Sequence, residues 1–101
     1  MIKIRPLEPE QIPFAKRLIY QVAHKVFQET RSLDESIAFY ESKSLLQDID
    51  DLEECYFNND GIFLAMTDDD RIIGTGAALK LNDEICELKR VWLLHAYHGQ
   101  G

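Results

Sequence analysis

The stretch that most constrains this chain is its last eighteen residues. Glu84-Ile85-Cys86-Glu87-Leu88-Lys89-Arg90-Val91-Trp92-Leu93-Leu94 runs into His95-Ala96-Tyr97-His98-Gly99-Gln100-Gly101. An apolar, aromatic-containing run broken by charges reads as a strand, and the glycine-bearing stretch after it reads as a turn with unusual backbone freedom. Such a loop placed straight after a strand normally opens a helix, and its amides are then free to hold an anion. Gly99 and Gly101 put no side chain in the way of N–H groups that converge on phosphate oxygens.

The rest of the chain supplies elements in a definite order. Ile2-Lys3-Ile4-Arg5 alternates apolar and basic residues, the period of a short half-buried strand, and Pro6 ends it. Ala15, Leu18, Ile19, Val22, Ala23 and Val26 then fall at helical spacing, with Lys16, Arg17, Gln21, Lys25 and Gln28 outside the stripe, which predicts a helix over 9–27. Pro9 and Pro13 fit its opening turns. His24 lies beside the stripe and reads as a boundary histidine.

Ser32-x-x-Glu35 and Ser44-x-x-Gln47 both have capping-box spacing and predict two helical pieces between 33 and 57. In the second, Leu45, Ile49, Leu52 and Tyr56 share a face, while Asp48, Asp50, Asp51, Glu53 and Glu54 form a solvated acidic face. Asp48-Ile49-Asp50-Asp51 is not a calcium loop, because Glu53 stands where its glycine is needed and Asn59 where its closing glutamate belongs. No metal site is expected.

Asn58-Asn59-Asp60-Gly61 is a turn. Ile62–Thr67 reads as a strand buried on both faces, Asp68-Asp69-Asp70 as a tight turn, and 71–79 as the next strand. Strands joined by such short turns must form an antiparallel meander. Gly74-Thr75-Gly76 fails as a dinucleotide fingerprint, since Leu79 replaces the third small residue and no helix follows. Its glycines fit a bulge or the close approach of another backbone.

Composition narrows the partners. The net charge of −7 divides into +3 over residues 1–31 and −10 over 32–101. That balance argues against a nucleic-acid backbone and would steer in a cationic amine. No apolar run approaches a membrane span and the N-terminus lacks a signal-peptide core, so no membrane partner is expected and the default compartment is the cytoplasm. Cys55 and Cys86 read as packed thiols.

Glu87-Leu88-Lys89-Arg90 followed by Tyr97-His98-Gly99-Gln100-Gly101 closely resembles the acyl-coenzyme A loop of the GCN5-related N-acetyltransferase (GNAT) superfamily. The family's signature is Arg/Gln-x-x-Gly-x-Gly/Ala after a strand of the form Glu-Leu-Lys-Arg-x-x-Val. His98 stands where the family has Arg or Gln, and the final Gly/Ala would fall two residues past Gly101. The order strand, helix, helix, strand, strand, strand, glycine loop is that of the family's N-terminal half. The resemblance therefore implies an α+β fold, the N-terminal part of an acyl-coenzyme A N-acyltransferase, with helices packed on a mixed or antiparallel sheet. Residues 1–101 would be a single truncated domain that ends inside the pyrophosphate-binding loop.

By the same resemblance the activity is transfer of an acetyl group from acetyl-coenzyme A to a primary amine of a small molecule or protein, by direct attack, with this fragment alone inactive. Val91, Trp92 and Leu93 would pair with the pantetheine arm, an N–H near Leu93 would polarise the thioester carbonyl, and His98, Gly99, Gln100 and Gly101 would hold the pyrophosphate. Glu87 occupies the place where some members carry a catalytic glutamate. A protonated amine with pKa near ~10.4 needs a base, and alternation places Glu87 on a face with Lys89, Val91 and Leu93. The competing role for Glu87 is a cross-strand ion pair. Phe27, Phe39, Tyr40 and the acidic row would border the acceptor, or else be ordinary core and surface. Strand 88–94 would be an apolar edge open to a homodimer or a C-terminal partner. A non-catalytic interaction or ligand-sensing module is the alternative, favoured by His98 and the cut loop; a structural domain with coincidental glycines is a third.

Overall fold

The computed structural model of the chain describes residues 1–94. Strand β1 (Ile2–Pro6) leads through a 3-10 turn, Pro9–Gln11, into helix α1 (Ile12–Val26). Helices α2 (Leu33–Ser42) and α3 (Gln47–Asp50) and a π-helical turn, Glu53–Phe57, follow. Strands β2 (Gly61–Asp68), β3 (Arg71–Lys80) and β4 (Cys86–Leu93) then complete a sheet of order β1-β2-β3-β4, antiparallel throughout.

Local chemistry sets most boundaries. The 3-10 turn closes with Glu8 N–H donating to Gln11 Oε1 at 2.9 Å, and Pro13 sits in the first turn of α1, where its missing donor costs nothing. Ser32 Oγ accepts from Glu35 N–H at 3.2 Å to start α2. Asp34 and Glu35 in that first turn face the positive end of the helix dipole. The β2–β3 turn has Asp69 and Asp70 at φ 51° and 70°, the mirror-image geometry that matches the twist of a two-residue hairpin. At the β3–β4 turn Asn82 Oδ1 accepts from the N–H groups of Glu84 and Ile85, at 2.8 and 3.0 Å.

The core lies between the helices and one face of the sheet. Ala15, Leu18, Ile19, Tyr20 and Val22 of α1 meet Leu46, Ile49, Leu52 and Tyr56 of the following segment over Phe63, Ala65 and Ala77. Tyr56 packs edge-on against Phe63 with ring centroids 5.2 Å apart.

Five expectations need correction. Val26 leaves the stripe and is exposed, because α1 stops there and the chain turns away with Gln28 at φ 51°. Ser44 caps nothing: it takes φ 52° and donates its N–H to Glu41 O, so it ends α2 instead of starting α3. That turn shifts the inward face by one residue, and Leu46 is buried while Leu45 is half exposed. Strand β2 is buried on one face only, with Phe63 and Ala65 inside and Ile62 38% exposed. Every residue of β1 is exposed, including Ile2 and Ile4, because the helices cover the other face of the sheet.

Candidate active site

Strand β4 is one of the two edge strands of the sheet among the described residues, and it does not run straight. Ala77 pairs with Lys89 and Thr75 with Trp92, so two steps along β3 answer three along β4. The extra residue is a bulge at Arg90, whose φ is 55°. Thr75, buried on the core face, donates its hydroxyl to Arg90 O at 2.8 Å. Gly76 faces the bulge, and a Cβ placed there would meet no atom within 4 Å. Gly74 does the opposite: its missing Cβ leaves room for Trp92 O and Leu93 Cδ1, each 3.0 Å from where it would stand. One glycine thus serves the expected close approach and the other opposes a bulge.

The bulge changes which side chains share a face. Glu87 and Lys89, opposite Leu79 and Ala77, lie on the helix side; beyond Arg90 it is Trp92 and Leu94 that pack against the core. Val91 and Leu93 line an apolar groove of about 240 Å³ on the open face with Ile4, Leu64 and Met66. Glu87 therefore shares a face with Lys89 and Trp92, not with Val91 and Leu93 as simple alternation gives. Glu87 is exposed, and among the described residues its carboxylate has no hydrogen bond or ion pair, so the expected cross-strand pair is absent there. His98, Gly99, Gln100 and Gly101, expected to hold the pyrophosphate, lie outside the described residues.

A polar network unforeseen in the sequence ties β4 to the helices. Arg90 Nε donates to Asp48 Oδ2 at 3.1 Å, and its Nη2 donates to Asp48 Oδ1 at 2.7 Å and to Leu45 O at 3.1 Å. Tyr56 OH also donates to Asp48. Burial disfavours charge on Asp48, but hydrogen bonds from Arg90 and then Tyr56 outweigh it and hold the carboxyl below its ordinary range. Asp48 in turn pushes Arg90 up, while burial, then the Asp48 bond, push the Tyr56 hydroxyl up. The sequence assigns Asp48 to a solvated face; its side chain is only 18% exposed.

A second cluster borders an open cavity of about 390 Å³ between α1, α2 and α3. Lys16 Nζ lies 2.9 Å from Glu41 and 3.0 Å from Asp50, and Tyr20 OH donates to Glu41 at 2.6 Å. The Tyr20 bond, then Lys16, lower the Glu41 pKa. Between α1 and α2, Tyr40 stacks on Tyr20 and donates to Glu29, and Arg31 lies over the exposed ring of Phe39. Phe27 is exposed, and His24 Nε2 bonds to Arg31 O at 2.7 Å, which satisfies the boundary histidine. Cys55 is half-buried and Cys86 exposed, so only the first approaches a packed thiol. Among the described residues no three His, Cys, Asp or Glu side chains gather as a metal set, and no helix is long and apolar enough to cross a membrane.

The architecture is shared with solved acetyltransferases. A GNAT-family acetyltransferase from Staphylococcus aureus superposes with a TM-score of 0.74 at 18% identity, covering 98% of this chain and 56% of that one. An acetyltransferase from Streptococcus agalactiae gives 0.74 at 21% identity, covering 97% and 55%. The PaiA N-acetyltransferase from Thermoplasma acidophilum, solved with coenzyme A, gives 0.70 at 22%, covering 99% and 63%. The chain thus spans just over half to under two thirds of the length of these structures. No curated protein matches it in sequence. Helices on one face of an antiparallel sheet, joined in this order, define the acyltransferase class of fold, of which this chain covers part. The model of the acetyltransferase (GNAT) family matches residues 27–101, and the chain belongs to that family.

Proposed function

We propose that the protein is an N-acetyltransferase that moves the acetyl group of acetyl-coenzyme A to a primary amine of a small molecule or protein, with β4 as the donor strand. The observation that carries this is the bulged edge strand β4 of a chain in the GNAT family. The donor, when bound, supplies its acetyl group as a thioester. The main chain of Val91, Trp92 and Leu93 fits a partner that carries amides, since strand backbone pairs with any extended amide-bearing segment laid along it. His98, Gly99, Gln100 and Gly101 would hold the pyrophosphate through loop amides.

Glu87 is the proposed base. Four to six positions separate it from Val91–Leu93, roughly 13–20 Å at ~3.3 Å per residue, a span over which a chain of several water molecules would carry the proton from the amine to Glu87. The acidic balance of residues 32–101 favours a cationic acceptor. Outer-strand residues Leu88 and Val91 are exposed, which suits pairing with a second copy or a C-terminal partner. The proposed compartment is the cytoplasm.

His98, in place of Arg or Gln, favours a second reading, a GNAT-like module that binds without catalysis. Titration of acetyl-coenzyme A, by calorimetry, into this chain and into a version extended to the length of its solved relatives tests the donor site. Binding by the extended form supports it; a folded extended form that binds nothing removes it. Acetyl transfer to an amine then separates enzyme from module.

A further inference from the structure

Arg90 is where three parts of the fold meet. Its φ of 55° is one that a non-glycine residue holds only when its surroundings impose it. From the sheet, Thr75 Oγ1 grips its carbonyl. From the helices, Asp48 and Leu45 O grip its guanidinium. Asp48 is fixed in turn by Tyr56, whose ring is wholly buried against Phe63. A continuous set of bonds therefore runs from the core of segment 45–57 to the one backbone kink in β4.

We infer that Arg90 is a positioning residue for the acyl donor, a role that rests on the donor site proposed above. Held by Asp48 and Thr75, it fixes the bulge that sets the direction of the Val91–Leu93 main chain. Its planar fork is what makes it suitable, because two parallel bonds to a carboxylate fix angle as well as distance. Arg90 also links the donor strand to segment 45–57, so order in one is coupled to order in the other. Such coupling is reciprocal: donor binding to β4 slows amide exchange in segment 45–57.

The test is calorimetric titration of acetyl-coenzyme A into the extended version of the protein described above, with hydrogen exchange followed over 45–57 and 86–93. Wild type is compared with Arg90→Gly, Arg90→Lys and Thr75→Val. Glycine takes φ 55° at no steric cost, so Arg90→Gly keeps the kink allowed while it removes the fork and its hold on Asp48. Folded Arg90→Gly should bind the donor about tenfold more weakly or worse. Its donor-induced protection of 45–57 should vanish. Arg90→Lys should fall between, since it keeps charge without the fork. Wild-type affinity and wild-type protection in folded Arg90→Gly overturn the inference and leave the donor site standing. Failure of folded wild type to bind overturns both. If Arg90→Gly does not fold, Thr75→Val and Arg90→Lys carry the same comparison, and unchanged affinity in both overturns the inference.

Discussion

Arg90 and Asp48, forty-two positions apart, are joined by a two-pronged ion pair of 2.7 and 3.1 Å that fastens the outer strand to the helical layer. Both side chains are largely withdrawn from solvent, at 26% and 18% exposure. A pair in that setting differs from a surface salt bridge: its formation yields little net stability, but loss of one member strands the other.

Asp48→Ala strands both the Arg90 guanidinium and the Tyr56 hydroxyl. It should cost about 2–4 kcal/mol, read by urea denaturation of the full chain. Asp48→Asn keeps the shape and should cost about half of that.

Acid should weaken the fold through the same residue. Hydrogen bonds from Arg90 and Tyr56 hold the Asp48 pKa below the ordinary carboxylate range, and those from Tyr20 and Lys16 do the same for Glu41. A depressed carboxyl contributes stability that is complete above its unfolded pKa and is lost as pH falls through the folded value. Melting temperatures measured from pH 6 to pH 2.5 should therefore drop below about pH 4, more shallowly in Asp48→Asn.

Leu45 and Leu46 distinguish the observed inward face from the one that periodicity gives. Leu46→Ala should cost about 2–4 kcal/mol and Leu45→Ala about 0.5 or less, by the same denaturation measurement. Equal costs would contradict the face assignment.

Gly74→Ala and Gly76→Ala separate close approach from open space. An Ala at 74 must push the Trp92 carbonyl and so move the proposed donor strand, and its acetyl-coenzyme A affinity should fall several-fold, roughly 1 kcal/mol. An Ala at 76 meets nothing and should bind as wild type does.

Glu87→Gln in the extended, active protein should lower kcat by about 10²-fold or more and leave donor affinity unchanged, as expected for a base that never touches the donor. A wild-type kcat would remove Glu87 from the chemistry.

What could be read in the sequence was what repeats locally. The α1 stripe, the Ser32 cap, the Asp-rich hairpin turn and the meander all follow from residues within a few positions of one another. The family followed from a short motif. The face of Glu87 did not, because alternation fails wherever a strand gains a residue, and no spacing in Lys89-Arg90-Val91 announces a bulge. Asp48 looked solvated for a related reason. Its partner lies in another element, and an acid in an acidic row shows no sign of which member turns inward. Leu46 was missed because Ser44 resembles a helix start and acts as a helix stop.

The bulge also acts as a phase shifter. Side chains along a strand alternate with a period of two, so one inserted residue advances everything after it by half a cycle. Were Arg90 drawn into a regular strand with no bulge, Trp92 would turn to the open face and Val91 and Leu93 toward the helices. Deleting Arg90 outright would restore one-to-one pairing with β3 and keep those faces, whereas one more inserted residue without a second bulge would invert them.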